Sequence, residues 1–178
     1  MNSNISKAEL YNVTALNVLI NSAYRGESSK VGWTTEADML DGQRTDEEDL
    51  KNIISKRNCY ILKYTNEVGE ILSCVRLEKH HDKLYLGMLT VSPVLQGGGI
   101  GKQMMQASEQ FAREQNCSCV YMQVIKGRDE LIRWYERQGY KDTGERKPFP
   151  SGDPRFGLPK KKLEFIIMEK PLLMSLRA

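Results

Sequence analysis

A run of glycines lies between an apolar segment and an amphipathic one, and loops of this kind bind phosphate. The run is Gln96-Gly97-Gly98-Gly99-Ile100-Gly101-Lys102. A glycine-rich turn that opens a helix leaves backbone N–H groups unpaired, and together with the helix dipole these groups form an anion site. Glycines also let the backbone approach a phosphate closely, because no Cβ stands in the way. We therefore predict that this loop holds a phosphorylated ligand.

The spacing of the glycines distinguishes between three such ligands. A nucleotide P-loop requires G-x-x-x-x-G-K-[ST], but Gln96 stands at its first position and Gln103 at its last. A dinucleotide loop G-x-G-x-x-G that begins at Gly97 requires glycine where Lys102 stands. The pattern that fits is Q/R-x-x-G-x-G, carried by Gln96, Gly99 and Gly101. Taken alone, the run also fits a tight turn without a ligand.

A second string follows at the end of a later helical segment. It reads Arg133-Trp134-Tyr135-Glu136-Arg137-Gln138-Gly139-Tyr140. The two strings resemble motifs of the GNAT (general N-acetyltransferase) superfamily: the glycine run resembles its acetyl-CoA pyrophosphate loop, and the second string its lYekxGF helix and turn. The resemblance covers essentially the whole chain. It implies an enzyme that transfers an acetyl group from acetyl-CoA, its co-substrate, to an amine acceptor by direct attack.

The resemblance also implies roles for individual residues. Tyr135 takes the position of the tyrosine near the coenzyme A sulfur. There a phenol can donate a proton to the leaving thiolate, since a free thiol has a pKa of ~8.5 and a phenol a pKa of ~10. Taken alone, Tyr135 is four residues from Leu131 and also fits a core position. The implied coenzyme-binding residues are Leu89, Thr90, Val91, Gln96, Gly97, Gly98, Gly99, Ile100, Gly101, Lys102 and Arg128.

Two positions depart from the pattern of the family. Arg128 stands seven residues before the tyrosine, where many relatives carry Asn, and it fits a phosphate contact, a cap or an exposed side chain. Gln123 stands in the fifth strand, where some relatives carry a catalytic Glu. An amide cannot act as a general base, so the resemblance does not identify the base.

The acceptor is expected opposite the coenzyme, between residues 25–37 and 147–162. Trp33 and Glu36 could hold a cationic amine through the ring face and the carboxylate, or serve as a loop anchor and a helix-start charge. Glu78, at a strand end, is a further candidate for the acceptor site. The second segment contributes its aromatic and charged residues, which are Phe149, Asp153, Arg155 and Phe156. The acceptor itself, whether a small molecule, an amino acid or a peptide, is left open.

The elements that must position these residues follow from hydrophobic periodicity. Strands are predicted over Asn4–Ala8, Cys59–Tyr64, Ile71–Leu77, Leu84–Val91, Cys119–Ile125 and Leu163–Met168. Helices are predicted over Tyr11–Tyr24, Thr35–Leu40, Thr45–Ser55, Ile100–Gln115 and Asp129–Gln138. A loop is predicted from Pro148 to Pro159. The resemblance implies a mixed α/β (α+β) fold in three layers, with a largely antiparallel sheet that ends in two strands, as one domain over residues 3–172.

Composition limits the remaining classes of protein. The 178 residues carry a formal net charge of +3, too small and too dispersed to indicate nucleic acid. No apolar run approaches the roughly 18 residues of a membrane span, and the N-terminus does not read as a signal peptide. The four cysteines lack C-x₂-C spacing, so we expect reduced thiols in the cytoplasm and no metal site.

Two other classes of function stay open at this stage. The same fold could serve as a non-catalytic acyl-CoA-binding sensor or interaction module, which the absent strand glutamate favours and the retained Tyr135 opposes. A nucleotide-binding protein is the third class, and the failed P-loop spacing argues against it. A homodimer is one option for assembly.

Overall fold

The structure, a computed structural model, describes residues 4–150 and 157–173. The strands within these ranges are β1 (Ile5–Lys7), β2 (Leu40–Asp41), β3 (Cys59–Thr65), β4 (Ile71–His80), β5 (Lys83–Val91), β6 (Cys119–Ile125), β7 (Lys141–Pro148), β8 (Leu158–Pro159) and β9 (Glu164–Pro171). The helices are α1 (Val13–Tyr24), α2 (Gly26–Ser29), α3 (Glu47–Ser55), α4 (Ile100–Glu114) and α5 (Asp129–Arg137).

The main sheet has the strand order β1-β3-β4-β5-β6-β9-β7. Its neighbours are antiparallel except for β5 and β6, which run parallel. A separate pair, β2 with β8, is antiparallel. The mixed, largely antiparallel sheet of the sequence prediction is confirmed, including its two closing strands, which are β7 and β9.

Helices cover both faces of this sheet, because apolar side chains on both of its faces are buried, as strand β3 shows. Successive side chains of a strand point to opposite faces. Ile61 packs in one apolar cluster with residues of α1 and α3, whereas Leu62 packs in another with residues of α4 and α5. In α4 the predicted inner positions Met104, Ala107 and Phe111 are all buried. These are the three layers that the sequence predicts.

Strand β5 has an irregular shape, and a cleft lies beside it. Two residues of β5, Met88 and Leu89, lie opposite the single residue Val75 of β4, which makes a β-bulge. Met88 has a φ of 53°, a left-handed conformation that is uncommon outside glycine. β5 pairs with β6 only over residues 83–85, opposite 119–121. Beyond these residues the two strands no longer pair, and a cleft lies between them.

The predicted helix over Thr35–Leu40 is wrong. The structure has a single turn there, in which the N–H groups of Met39 and Leu40 both donate to Glu36 O at 2.9 Å, and the chain then continues into β2. A short helix, α2, instead lies just before, in the segment predicted as a loop. The turn stops because Leu40 pairs with Pro159 of β8, a partner 119 residues away that local patterning does not reveal.

The helix start predicted at Thr45 shifts by one residue. Asp46 is the N-cap, and its side chain accepts a hydrogen bond from the Asp49 N–H at 2.7 Å. The Thr45 hydroxyl donates to the Asp49 carboxylate at 2.8 Å. Thr45 and Glu48 have the spacing of a capping box but do not form one, although the helix itself is confirmed.

Candidate active site

Two cavities lie along the cleft where β5 and β6 part. The loop cavity adjoins the glycine run, and the strand cavity lies between the parted ends of β5 and β6. Each has a volume of about 310 Å³, within the range of small-molecule sites. They share a wall, formed by Tyr24, Leu89, Arg128, Leu131 and Tyr135. The cleft therefore offers two adjoining binding sites.

The glycine run has two glycines at positive φ and opens helix α4. Gly97 and Gly99 have φ values of 86° and 88°, which L side chains rarely adopt. The first hydrogen bond of α4 runs from Gln103 N–H to Gly99 O at 3.1 Å. The N–H groups of residues 99–102 precede it and therefore have no acceptor within the helix. These donors adjoin the loop cavity, which is lined by Gln96, Gly97, Gly99, Gly101 and Lys102.

Two predicted members of the loop lie outside this lining. The Gly98 N–H donates to Leu95 O at 3.3 Å and closes the turn. Ile100 is partly buried against the main apolar cluster and anchors the start of α4. The structure therefore gives both a part in shaping the loop.

Gln96 connects the loop to the segment before β2. Its Oε1 accepts a hydrogen bond from the Trp33 N–H at 3.0 Å. A Cβ on Gly32 would lie 2.3 Å from the same oxygen, so a larger residue there would displace the Gln96 side chain. The Gln96 side chain thus faces the neighbouring segment and holds it against the glycine run.

The bulged end of β5 continues the wall of the loop cavity through Leu89, Thr90 and Val91. Leu89 O accepts from the Tyr24 hydroxyl at 2.9 Å. Thr90 is buried, and its O accepts from the Ser73 hydroxyl at 2.5 Å. The three residues lie beside the glycine run, as the sequence predicts.

Tyr135 lies where the two cavities meet. Its side chain is 6% exposed and packs edge-on against Trp134 and Tyr140. Within the described residues, its hydroxyl makes no hydrogen bond. Burial, reinforced by neighbouring Tyr24, raises the pKa of Tyr135 well above its ordinary value, although Arg128 acts in the opposite direction. The phenol therefore stays protonated at neutral pH, and its hydroxyl is available to a ligand.

A buried ion cluster forms part of the shared wall. Both oxygens of Glu36 are engaged, one by Arg25 and the other by Arg128 Nη1 at 2.8 Å. Arg128 Nη2 also donates to the Thr34 hydroxyl at 2.7 Å. Each of the three charged residues is at most 7% exposed. Arg128 therefore neither caps a helix through its side chain nor faces solvent, and it lines both cavities.

The structure does not bring the three predicted acceptor residues together. Trp33 lines the loop cavity, where its ring is 6.3 Å from that of Trp134, whereas Glu36 lines the strand cavity. Glu78 lines neither cavity and forms ion pairs with Lys56 and Arg76, both at 2.5 Å. Burial alone would raise the pKa of Glu78, but these hydrogen bonds outweigh it and hold that pKa below its ordinary value.

The strand cavity contains residues that sequence reasoning did not assign to a site. Tyr24 and Tyr85 line it, and burial raises the pKa of Tyr24 to about 12. Arg25 and Arg44 add positive charge. These residues belong to no motif of the chain, and only the fold brings them together. Gln123 also lines this cavity, as does Phe149, whereas Asp153, Arg155 and Phe156 lie outside the described residues.

The part of the chain that the structure describes contains neither a helix suited to a membrane nor a metal-binding cluster. No helix there combines the length and apolarity needed to cross a membrane. No three histidine, cysteine, aspartate or glutamate side chains within the described ranges are grouped so as to hold a metal ion. All four cysteines are buried free thiols.

The glycine run at the start of α4 and the two adjoining cavities form the candidate site. A family model, described as the acetyltransferase (GNAT) family, matches residues 18–140, which is more than half of the chain. The chain therefore belongs to the GNAT family of acetyltransferases. This confirms the resemblance and the expectation of an N-acetyltransferase enzyme. No curated protein sequence matches the chain.

Solved structures share the fold at low sequence identity. The Escherichia coli ribosomal-protein-S18-alanine N-acetyltransferase has a TM-score of 0.70 and 15% identity, with 97% of this chain and 96% of that chain covered. The Brucella melitensis ribosomal-protein-alanine N-acetyltransferase has a TM-score of 0.68 and 19% identity, with 94% and 99% covered. A GNAT acetyltransferase from Staphylococcus aureus Mu50 has a TM-score of 0.69 and 18% identity, with 96% and 99% covered.

Proposed function

We propose that the protein transfers the acetyl group of acetyl-CoA directly to the nitrogen of an amine acceptor. Acetyl-CoA would occupy the loop cavity and the acceptor the strand cavity. One observation carries this proposal: Tyr135, whose hydroxyl makes no hydrogen bond among the described residues, lines both cavities. A group in that position reaches ligands in both cavities at once.

The residues of the loop cavity fit acetyl-CoA. The N–H groups of residues 99–102 suit the pyrophosphate, because they are donors without an intrahelical acceptor at a helix start. Lys102 adds a positive charge beside them. Backbone groups of Leu89 and Val91 suit the amides of the pantetheine arm. When bound, acetyl-CoA supplies the acetyl thioester that the acceptor nitrogen attacks.

Tyr135 supplies the proton that the leaving sulfur takes up. The new carbon–nitrogen bond forms as the carbon–sulfur bond breaks, and the acceptor nitrogen releases a proton to water. Water then restores the phenol. Among the described residues of the strand cavity, no free carboxylate can take the acceptor proton, since Glu36 is held by two arginines and Gln123 is an amide. The cytoplasm, where thiols stay reduced, suits the four free cysteines.

The same lack of a free carboxylate favours a second candidate, an acyl-CoA-binding sensor without turnover. The two functions differ in one measurement, which is the release of free thiol from acetyl-CoA in the presence of amines. A sensor binds the ligand and releases none.

Ligand-dependent melting tests the common part of both candidates. At 100 times its dissociation constant, acetyl-CoA should add about 2.7 kcal/mol to the free energy of unfolding and raise Tm. ATP and NAD should leave Tm unchanged, because the loop fits neither of their motifs. A rise in Tm with ATP and none with acetyl-CoA would overturn the proposal.

A further inference from the structure

The described lining of the strand cavity contains more arginines than carboxylates. Its described lining residues include three arginines, Arg25, Arg44 and Arg128, and one carboxylate, Glu36. Arg25 and Arg128 both bind Glu36. Arg44 forms no ion pair with any described carboxylate. Among the described lining residues, Arg44 is therefore the arginine whose charge no described carboxylate neutralises.

Arg44 is held in place on the wall of the cavity. Its backbone N–H donates to Asn21 Oδ1 at 2.7 Å, and Asn21 Nδ2 donates to the next residue, Thr45 O, at 3.0 Å. Its guanidinium lies 5.3 Å from the centre of the Tyr24 ring. The side chain is half-buried. A guanidinium has five N–H donors, and stacking on a ring occupies none of them.

A purely structural role for Arg44 would consist of its contact with Tyr24. A cation on an aromatic face needs only the ring, and such pairs occur widely on protein surfaces. This contact does not explain why the arginine lines the cavity in which the acceptor is proposed to bind. An arginine fork matches a carboxylate in shape and charge, and it can bind both oxygens.

We propose that the acceptor is an amino acid whose carboxylate is bound by Arg44 and whose amine is directed to Tyr135. This inference rests on the proposed function. The carboxylate pairs with the positive charge of Arg44, which no described carboxylate neutralises. The same positive charge favours the neutral form of the amine, which is the form that attacks. Leu40, Phe149 and Phe165 give the cavity an apolar region that suits an apolar side chain.

Matched sets of acceptors test the role of the carboxylate. One set is phenylalanine, phenylalanine amide and phenethylamine, and a second is the corresponding leucine set. Free thiol released from acetyl-CoA gives kcat/KM for each compound. We expect the acids to exceed their amides and amines at least about tenfold, as for a charge-assisted hydrogen bond. Loss of the adjacent negative charge makes the amine of the amide easier to deprotonate, so amine basicity cannot produce the preference over the amides.

The variant Arg44→Gln tests whether the side chain of Arg44 causes the preference for the acids. We expect kcat/KM for the acids to fall about 10- to 100-fold and that for the amides to stay within about twofold. Arg44→Lys should restore part of the preference. Arg57→Gln, at an exposed arginine outside both cavities, is the matched control and should behave like the unaltered protein.

Two outcomes overturn this inference and leave the proposed function standing. Amides or simple amines that react as fast as the acids show that no carboxylate is recognised. An undiminished preference in Arg44→Gln shows that another group recognises it. If no compound of either set reacts, the inference also fails, and the melting experiment with acetyl-CoA decides separately on the proposed function.

Discussion

Tyr135 combines two properties that oppose each other in an ordinary core tyrosine. Its ring is buried among other aromatic side chains, but its hydroxyl makes no hydrogen bond with a described residue. Buried polar groups are normally paired, and an unpaired one costs stability. A hydroxyl that keeps its proton and lies on a cavity wall is suited to pair with a bound ligand instead.

The substitution Tyr135→Phe separates chemistry from packing. We expect kcat to fall about 10² to 10⁴-fold, as for the loss of a general acid, while the Kd of acetyl-CoA changes little because the ring is retained. Single-turnover kinetics and equilibrium binding measure the two quantities. Tyr60→Phe, a ring that packs on Phe111 outside both cavities, is the control and should retain activity. An equal loss of affinity and rate in Tyr135→Phe would make Tyr135 a packing residue.

The ion-pair partners of Glu36 could not be predicted from the sequence. Its position in a polar loop suggested a carboxylate available to a cationic amine. In the structure it is buried between Arg25 and Arg128, and the second of these is 92 residues away. A buried carboxylate requires such partners, because an unpaired charge in the interior is costly. The sequence shows that the charges exist but not which of them meet.

The glycine run is the element that the sequence predicted best. Its function depends on local backbone geometry, on glycines at positive φ and on the start of one helix, and all of these lie within a few residues. Strand β7 is the opposite case. All eight of its residues are exposed and most are polar, so no alternation marks it, and it forms because it pairs with β9. Elements without a buried face are specified by their neighbours.

A substitution of Gly99 tests whether the glycine run binds acetyl-CoA. Gly99 has a φ of 88° and open space where its Cβ would be, and Gly69, in a distant turn, has a φ of 84° and the same open space. Valine at either position should cost about 1–2 kcal/mol or more of stability, since both backbones are left-handed. Only Gly99→Val should abolish acetyl-CoA binding, as measured by calorimetry. Equal binding by both variants would show that the run is only a turn.

The whole molecule buries an unusual set of weak acids. Burial raises the pKa of the Tyr24 phenol to about 12, that of the Cys74 thiol to about 12 and that of the Cys119 thiol to about 11. In the unfolded chain the same groups ionise at about pH 8.5 to 10. The folded protein therefore holds protons that the unfolded chain releases in alkali.

Stability should consequently fall on the alkaline side. It is fully present below the unfolded pKa values and is lost as pH rises above them, by about 1.4 kcal/mol per pH unit for each such group. Urea unfolding at pH 7 to 11 measures this decline. Cys74→Ala removes one of the acids, so its free energy of unfolding should decline less steeply above about pH 9. Parallel curves for the two proteins would contradict the assignment.

Residues 25–41 are a single segment that contributes to both cavities. Trp33 and Thr34 line the loop cavity, and Arg25, Glu36 and Leu40 line the strand cavity. Gln96 and Arg128 attach this segment to the glycine run and to α5. A ligand that orders the segment from one side lessens the entropy that the other ligand must lose. Thermodynamic linkage then requires that acceptor and acetyl-CoA change each other's affinity by the same factor, so each reports on the other.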